Sequence, residues 1–280
     1  MKKEISNQRF GEERALYGTQ NLIIKNCQFA GEEDGESALK EAQDILVDSC
    51  LFDLRYPFWH DQNIQIVSSQ MTHNCRAALW YSNHIAILNS QLHGIKALRE
   101  SSDIQLVNCQ IVSPEFSWRC SHIDIKDCAL ESEYAFFESK NINIDNLTFT
   151  GKYSFQYVNK MNLKNSHLKT KDAFWHTKNV TVTDTILEGE YLGWYSTNLT
   201  LIRCHIKGTQ PLCYCNNLKL IDCTMEETDL SFEKSSIHAT ILGSIDSIKN
   251  PTKGKIVVDE CKELIIEDKK SKANIQINQK

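Results

Sequence analysis

One nine-residue pattern of alternating apolar and polar positions recurs along most of the chain. Its copies begin at Asn21, Asp44, Asn63, His84, Asp103, His122, Asn141, Lys160, Asn179, Asn198 and Asn217, with a degraded twelfth copy at Ser236. From His84 to Ser236 the copies are 19 residues apart, and the earlier intervals are 23, 19 and 21 residues. A fixed period of this length indicates a solenoid, in which each repeat stacks on the previous one.

The second and fourth positions of each copy are aliphatic or Met, as in Ile104 and Leu106, which indicates a strand with one buried face. Asn or Asp dominates the first and sixth positions, where turns require a residue that tolerates the left-handed region. The leucine-rich-repeat frame and a helical apolar stripe are both missing. The pattern therefore predicts an all-β protein, a right-handed parallel β-helix of about 12 coils, mostly of 19 residues.

The repeat also predicts how the chain is organised. We expect one β-helix domain over residues 1–280, with residues 1–20 forming an N-terminal cap and first strand and residues 21–245 forming the coils. After Ile245 the 19-residue frame fails and Pro251 interrupts it. Because an open terminal coil exposes unpaired strand edges, we expect residues 246–280 to fold back as a C-terminal cap.

Cysteines recur at the seventh position of the pattern. Six of the eleven lie there: Cys27, Cys50, Cys109, Cys128, Cys204 and Cys223. Stacked coils would place them in a column, where they would act as small buried hydrophobic residues with free thiols. A zinc site from Cys204, Cys213, Cys215 and Cys223 is the alternative, but its spacing does not match paired C-x₂-C ligands. The sequence thus predicts neither a metal nor a cofactor.

All five tryptophans share one column, four residues before the pattern: Trp59, Trp80, Trp118, Trp175 and Trp194. If this column faces the core, its polar exceptions are Lys40, Arg99 and Gln156. If the next column faces the core, at least seven ionisable residues would be buried, which is costly. We therefore expect the tryptophans to be buried in one stack, the alternative being an exposed aromatic stripe that stacks on sugars.

The next column then faces outwards and carries the candidate chemistry. It contains Glu41, His60, Tyr81, Glu100, Arg119, Glu138, Tyr157, His176, Tyr195, Tyr214 and Glu233. Glu100, Arg119 and Glu138 lie on successive coils, so the two carboxylates would be about 9–10 Å apart, close to the separation in inverting glycosidases. The alternative is an exposed salt-bridge ladder.

A second cluster lies on the N-terminal coils. Glu36, Arg55 and Arg76 share a column near Lys40 and His60, and the four-residue insertion at Gly31–Gly35 would deliver Glu36 beside them. If the protein is an enzyme, we expect Glu36 and His60 to be its acid–base pair, with Glu100 and Glu138 as the fallback.

The residues expected to bind substrate are the two arginines and Lys40 of this cluster, together with Tyr81, Arg119, Tyr157 and His176. Here too a charge ladder is the alternative.

Charge and hydropathy narrow the ligand. The net charge is −5 and the basic residues are interspersed with acidic ones, so no basic face for nucleic acid is evident. No apolar run is long enough for a transmembrane helix, and no apolar segment follows Lys2 and Lys3 as in a secretory signal. We therefore expect a cytoplasmic protein that binds neither nucleic acid nor membrane. A saccharide or an anionic sugar is the expected ligand, and an oligomer is compatible with the sequence.

Four segments resemble an uncharacterised bacterial family of pectin-lyase-like β-helix proteins that carries a domain-of-unknown-function label. They are FGEERALYG (10–18), DGESALKEA (34–42), the WH of PFWHD (57–61) and SIKNPTKGKI (247–256). The resemblance covers nearly the whole chain and implies the pectin-lyase-like solenoid fold. It implies no activity, and the N-T-D, D-D, G-H-G and R-I-K signatures of polygalacturonases are missing.

Two classes of function follow from these observations. The first is a carbohydrate-active or carbohydrate-binding β-helix, which as an enzyme would be a polysaccharide or oligosaccharide hydrolase, lyase or epimerase. The second is a non-catalytic solenoid with a structural or protein-interaction role, since solenoids present extended binding surfaces.

Overall fold

Parallel β-coils make up the chain in the computed structural model, which describes residues 2–31 and 35–278. No α-helix occurs among these residues, so none of the length and hydropathy needed to cross a membrane is found there. The chain is an all-β parallel solenoid of about 14 turns, slightly more than the sequence predicts. It divides into two compact units, Met1–Asn143 and Ile144–Lys280.

In the first unit, two rows of strands run through successive coils. The strands are β1 (Lys3–Ser6), β2 (Arg9–Phe10), β3 (Gln20–Lys25), β4 (Gln28–Phe29), β5 (Gln43–Asp48), β6 (Leu51–Phe52), β7 (Phe58–Trp59), β8 (Gln62–Val67), β9 (Gln70–Met71), β10 (Leu79–Trp80), β11 (Asn83–Leu88), β12 (Gln91–His93), β13 (Ser102–Val107), β14 (Gln110–Val112) and β15 (Ser121–Glu133). Each strand pairs in parallel with its equivalent one coil later, so that Ile64, Ile85 and Ile104 are in register.

The second unit repeats this arrangement. Its strands are β17 (Asn159–Lys164), β18 (His167–Lys171), β19 (Lys178–Thr183), β20 (Ile186–Glu188), β21 (Thr197–Ile202), β22 (His205–Lys207), β23 (Leu218–Glu226), β24 (Ser236–Lys249), β25 (Lys253–Ile265) and β26 (Asn274–Ile277), and the boundary between the units lies within β16 (Lys140–Lys152). Val180 and Leu199 are in register, as are Leu201 and Leu220.

The C-terminal segment does not fold back as the sequence analysis expects. β25 pairs in parallel with β24, and β26 pairs in parallel with β25, so residues 253–277 continue the stack. Pro251 lies in the turn before β25, where it interrupts no strand. The frame fails at this point because the coil is shorter, and the parallel pairing is retained.

The interior of each coil is built from the columns that the sequence pattern defines. Ile104 and Leu106 at the second and fourth positions are almost completely buried, as are all six cysteines of the seventh position. The eleven cysteines are free thiols. No group of three or more metal-ligating side chains occurs among residues 2–31 and 35–278, and the four candidate zinc cysteines therefore form none.

The tryptophans are half-buried, whereas the sequence analysis expects them to be buried. The fully buried column is the preceding one, which includes Phe58, Leu79 and Phe136. Strand alternation fails here because the segment is a run of turns. Alternate residues such as Phe136 (φ 61°) and Glu138 (φ 56°) adopt the left-handed conformation, which redirects their side chains.

The tryptophans of the first unit form a continuous stack that we call the indole ladder: Trp59, Trp80, Arg99, Trp118 and Phe137. The Trp59 and Trp80 rings are parallel, with centroids 5.3 Å apart. The Arg99 guanidinium lies between two indoles, 4.9 Å from Trp80 and 4.8 Å from Trp118. Phe137 packs against Trp118 at 5.1 Å. An arginine replaces a ring in this stack because its planar cation packs on aromatic faces.

Each indole also ties its corner to the next coil. The indole N–H of Trp80 donates a hydrogen bond to the carbonyl of Lys96 at 2.8 Å, and that of Trp175 donates to the carbonyl of Tyr191 at 2.7 Å. The half-buried position of the tryptophans therefore satisfies their polar edge, and this explains why they do not lie wholly inside.

One interior position of the first unit holds a carboxyl group where neighbouring coils hold a hydroxyl. Asp61 is fully buried and occupies the column of Ser82 and Ser101. One of its oxygens accepts the N–H of Ala42 at 2.8 Å, and the other has no hydrogen-bond partner among the described residues. Burial raises the pKa of Asp61 to about 8, so the folded protein holds it neutral at pH 7.

We expect Asp61→Ser to remove a pH dependence of stability. Between about pH 4 and pH 8 the folded state keeps the Asp61 proton and the unfolded state does not. This carboxyl therefore lowers the free energy of unfolding by about 1.4 kcal/mol for each pH unit of increase, and the loss levels off above pH 8. Thermal unfolding should show the variant more stable than the wild type at pH 8 and little different at pH 4. Equal pH profiles for the two proteins would contradict a buried neutral Asp61.

The indole ladder predicts unequal roles for two neighbouring arginines. Arg99→Ala should lower the free energy of unfolding by about 1–3 kcal/mol, because it opens a gap between two indoles and removes two cation–π contacts. Arg119→Ala should lower it by less than about 1 kcal/mol, because Arg119 is exposed. Urea denaturation followed by tryptophan fluorescence measures both, and similar losses would show that the ladder adds no stability.

Candidate functional site

The N-terminal cluster forms only in part. A guanidinium nitrogen of Arg55 lies 3.2 Å from a carboxylate oxygen of Glu36, and the guanidinium lies 5.3 Å from the ring of Tyr56. Among the described residues, no hydrogen bond joins His60 to Glu36, and the side chains of Lys40 and Arg76 make no ion pair. The acid–base pair that the sequence predicts is therefore not assembled by direct contact.

The insertion before Glu36 is anchored by glycines. A Cβ at Gly35 would lie 2.5 Å from the carbonyl oxygen of Gly11, and one at Gly31 would lie 2.8 Å from the Gly11 Cα. The backbone segments thus touch at a distance that only glycine permits. The middle of the predicted loop, residues 32–34, lies outside the described residues.

His60 belongs to the outward column, in agreement with the sequence analysis, and stacks on Tyr81 with centroids 5.0 Å apart and an interplanar angle of 12°. Both side chains are exposed. On the preceding coil the phenol of Tyr17 donates a hydrogen bond of 2.7 Å to Glu41, which raises the Tyr17 pKa. His60 is thus held by an aromatic neighbour rather than by a carboxylate.

Glu100, Arg119 and Glu138 form an ion-pair ladder in the same column. Arg119 Nε donates to Glu138 at 2.7 Å, and an Arg119 Nη lies 3.7 Å from Glu100. The hydrogen bond to Glu138, together with both negative charges, raises the Arg119 pKa. The guanidinium occupies the gap between the carboxylates, where an inverting glycosidase would need space for a sugar and a water. This geometry favours the salt-bridge alternative.

The outward column of the second unit carries aromatic rings instead of charges. We call Tyr157, His176, Tyr195 and Tyr214 the ring ladder. Successive centroids are 4.9, 5.0 and 4.9 Å apart, and the interplanar angles are 7°, 7° and 13°. The Lys234 ammonium lies 5.7 Å from the Tyr214 ring, in the place that the sequence alignment gives to Glu233. One inserted residue before Lys234 accounts for this shift in register.

Stacking of the rings decides what this surface can do. The inner faces of His176 and Tyr195 are covered by their neighbours, so a sugar cannot stack on them as it would on an isolated tryptophan. The ring edges remain accessible, with 44% of Tyr195 exposed. A phenol hydroxyl and an imidazole each donate and accept hydrogen bonds. The ring ladder therefore presents polar groups at a spacing of about one coil.

The sequence predicted two of the four members of this ladder as binding residues, Tyr157 and His176. Tyr195 and Tyr214 stand in the same column, and their 19-residue spacing from His176 was the signal that identifies them. Beside them the rings of Trp175 and Trp194 stack at 5.4 Å with an angle of 4°.

Similarity to solved structures is weak. The chain is 9% identical to PfbA, a surface adhesin of Streptococcus pneumoniae, with a TM-score of 0.31 over 80% of this chain and 69% of that one. It is 8% identical to the A-module of the Azotobacter vinelandii mannuronan C-5 epimerase AlgE4, with a TM-score of 0.26 over 98% and 87%. For the catalytic domain of a GH87 α-1,3-glucanase the values are 9%, 0.24, 99% and 64%.

These values carry no argument about function, and no curated protein matches the chain significantly. A family model does match residues 3–278, which is almost the whole sequence, and its description is "Protein of unknown function (DUF3737)". The chain therefore belongs to the DUF3737 family of proteins of unknown function.

Proposed function

We propose that this protein binds an extended saccharide along the ring ladder and does not act on it chemically. The observation that carries the proposal is the regular spacing of 4.9–5.0 Å between exposed ring edges. Extended glycans place a sugar and its hydroxyl groups at a similar interval. A linear oligosaccharide lying along the column would therefore meet one hydrogen-bonding side chain for each sugar.

Rigidity supports this role. Each ring of the ladder is held between neighbours, and Tyr195 also contacts the Trp194 ring at 6.2 Å. Side chains fixed before binding lose little conformational entropy when the ligand arrives. Tyrosine supplies a large, rigid contact with a polar tip, which is why it is frequent in recognition surfaces.

The electrostatics of the candidate catalytic residues favour binding over catalysis. Glu100 and Glu138 share one guanidinium, and Glu36 is paired with Arg55. A general acid needs a neutral carboxyl group near neutral pH, whereas each of these pairs stabilises the ionised form. A hydrolase, lyase or epimerase activity that uses these residues remains a prediction from the sequence.

We expect linear neutral oligosaccharides to bind with an affinity that rises with length until the sugar spans the four rings. Tyr195→Phe should weaken binding between about twofold and tenfold, because it removes one hydrogen-bonding hydroxyl and keeps the ring stack. Isothermal titration calorimetry measures the effect, and Tyr17→Phe in the first unit is the matched control.

Two outcomes would contradict the proposal. One is that no oligosaccharide in a panel of neutral linear glycans binds. The other is that a Tyr195→Phe/Tyr214→Phe double variant binds as tightly as the wild type. If the double variant changes only the oligomeric state, the ladder is a protein-interaction surface. Release of reducing ends from a bound oligosaccharide would contradict the non-catalytic part.

A further inference from the structure

A polar notch of about 370 Å³ lies on the second unit at the start of the last coils. Its walls include Asn217, Ser236, His238, Lys253 and Gly254. This volume is at the lower end of the range for small-molecule sites. The notch contains part of the segment SIKNPTKGKI, and the ring ladder includes none of its lining residues.

Gly254 gives the notch its shape. The residue is in register with Ile237 and Leu218, which are buried aliphatic side chains on the two preceding coils. Its φ is +110°, and a Cβ there would lie 1.8 Å from the carbonyl oxygen of Ile237. The close approach of the two backbones, which only glycine permits, forms one wall of the notch.

The charge of the notch is positive, although the protein has a net charge of −5. Lys219, His238 and Lys255 are in register on three successive coils, about 4.8 Å apart, and all three are exposed. Lys253 stands at the mouth of the notch. Among the described residues, none of these four side chains forms an ion pair.

Acidic groups in the same part of the chain are engaged elsewhere. Asp259 accepts the N–H of Gly243 at 2.8 Å, and Asp268 accepts that of Lys270 at 2.9 Å. Glu233 lies 3.5 Å from the ammonium of Lys249. The positive charge of the notch is therefore not neutralised by these groups.

The corner that carries Lys253 is rigid. The buried amide oxygen of Asn250 accepts the N–H groups of Glu267 and Asp268 at 2.8 and 3.1 Å. The hydroxyl of Thr252 donates to the carbonyl of Ser235 at 2.9 Å. A corner fixed by these bonds holds its cationic side chains close together before any ligand binds, which reduces the cost of binding.

We propose that this notch binds a phosphate group, with Lys253 and Lys255 as its principal cations and Lys219 and His238 beside them. Lysine ammonium groups bind phosphate as point charges, whereas carboxylates are preferentially held by the two-pronged guanidinium of arginine. Arginine is not among the residues that line the notch. A volume of 370 Å³ exceeds what a phosphate ion fills, so a phosphorylated sugar fits better than the free ion.

Calorimetry with four probes at one ionic strength tests this assignment: inorganic phosphate, glucose 6-phosphate, glucose and glucuronate. Glucose 6-phosphate should bind more tightly than inorganic phosphate, and glucose should not bind at the notch. The Lys253→Gln/Lys255→Gln variant should lose at least about tenfold in affinity, because charge-assisted hydrogen bonds are the strong ones. Added NaCl should weaken the wild-type interaction. Lys169→Gln, an exposed lysine of the same unit, is the matched control.

Three results would overturn the proposal: no phosphate compound binds, glucuronate binds as tightly as glucose 6-phosphate, or the double variant binds like the wild type while its melting temperature is unchanged. If the double variant is unstable, Lys219→Gln is the second test, and the proposal requires it to weaken phosphate binding too. Tyr195→Phe should leave phosphate binding intact, so failure of the ring-ladder proposal and failure of this one are separate results.

Discussion

In-register parallel pairing between successive coils is the constraint on which the other features of the structure depend. When Ile64, Ile85 and Ile104 are paired across neighbouring strands, every other position of the coil is also placed above its equivalent. Side chains of one type then form columns about 4.8 Å apart. The buried aliphatic and cysteine columns stabilise the interior, and the outward columns become ladders of rings or charges. A 19-residue period in sequence is therefore converted into a regular surface in space.

The sequence predicts this fold because the second and fourth positions of the pattern alternate with polar residues, and that periodicity survives in every copy. It does not predict the orientation of Trp80 or the place of Arg99. Residues in turns with positive φ redirect side chains, so strand alternation is the wrong rule there. A charged residue in a column of indoles looks like an exception in sequence, yet it stacks as a ring would. The end of the stack was wrong for a related reason, since Pro251 and a shortened coil resemble the start of a cap.

For the candidate sites, the sequence identifies the outward column and therefore Tyr157 and His176. It cannot show that neighbouring rings cover each other's faces, which changes the expected recognition from stacking to hydrogen bonding. It also cannot show that Arg119 occupies the space between Glu100 and Glu138. The notch at Lys253 is missed because its basic residues are far apart in sequence and meet only through the pairing of β23, β24 and β25.

The central claim is that the regular outward column of the second unit is a binding surface. A crystal structure of the protein soaked with a linear neutral oligosaccharide tests it most directly. The account predicts density along the edges of the ring ladder, with sugar hydroxyls within hydrogen-bonding distance of Tyr195 and Tyr214. Density on the coils of His60 or Glu100 instead, or an unoccupied ring ladder at saturating ligand, would contradict it.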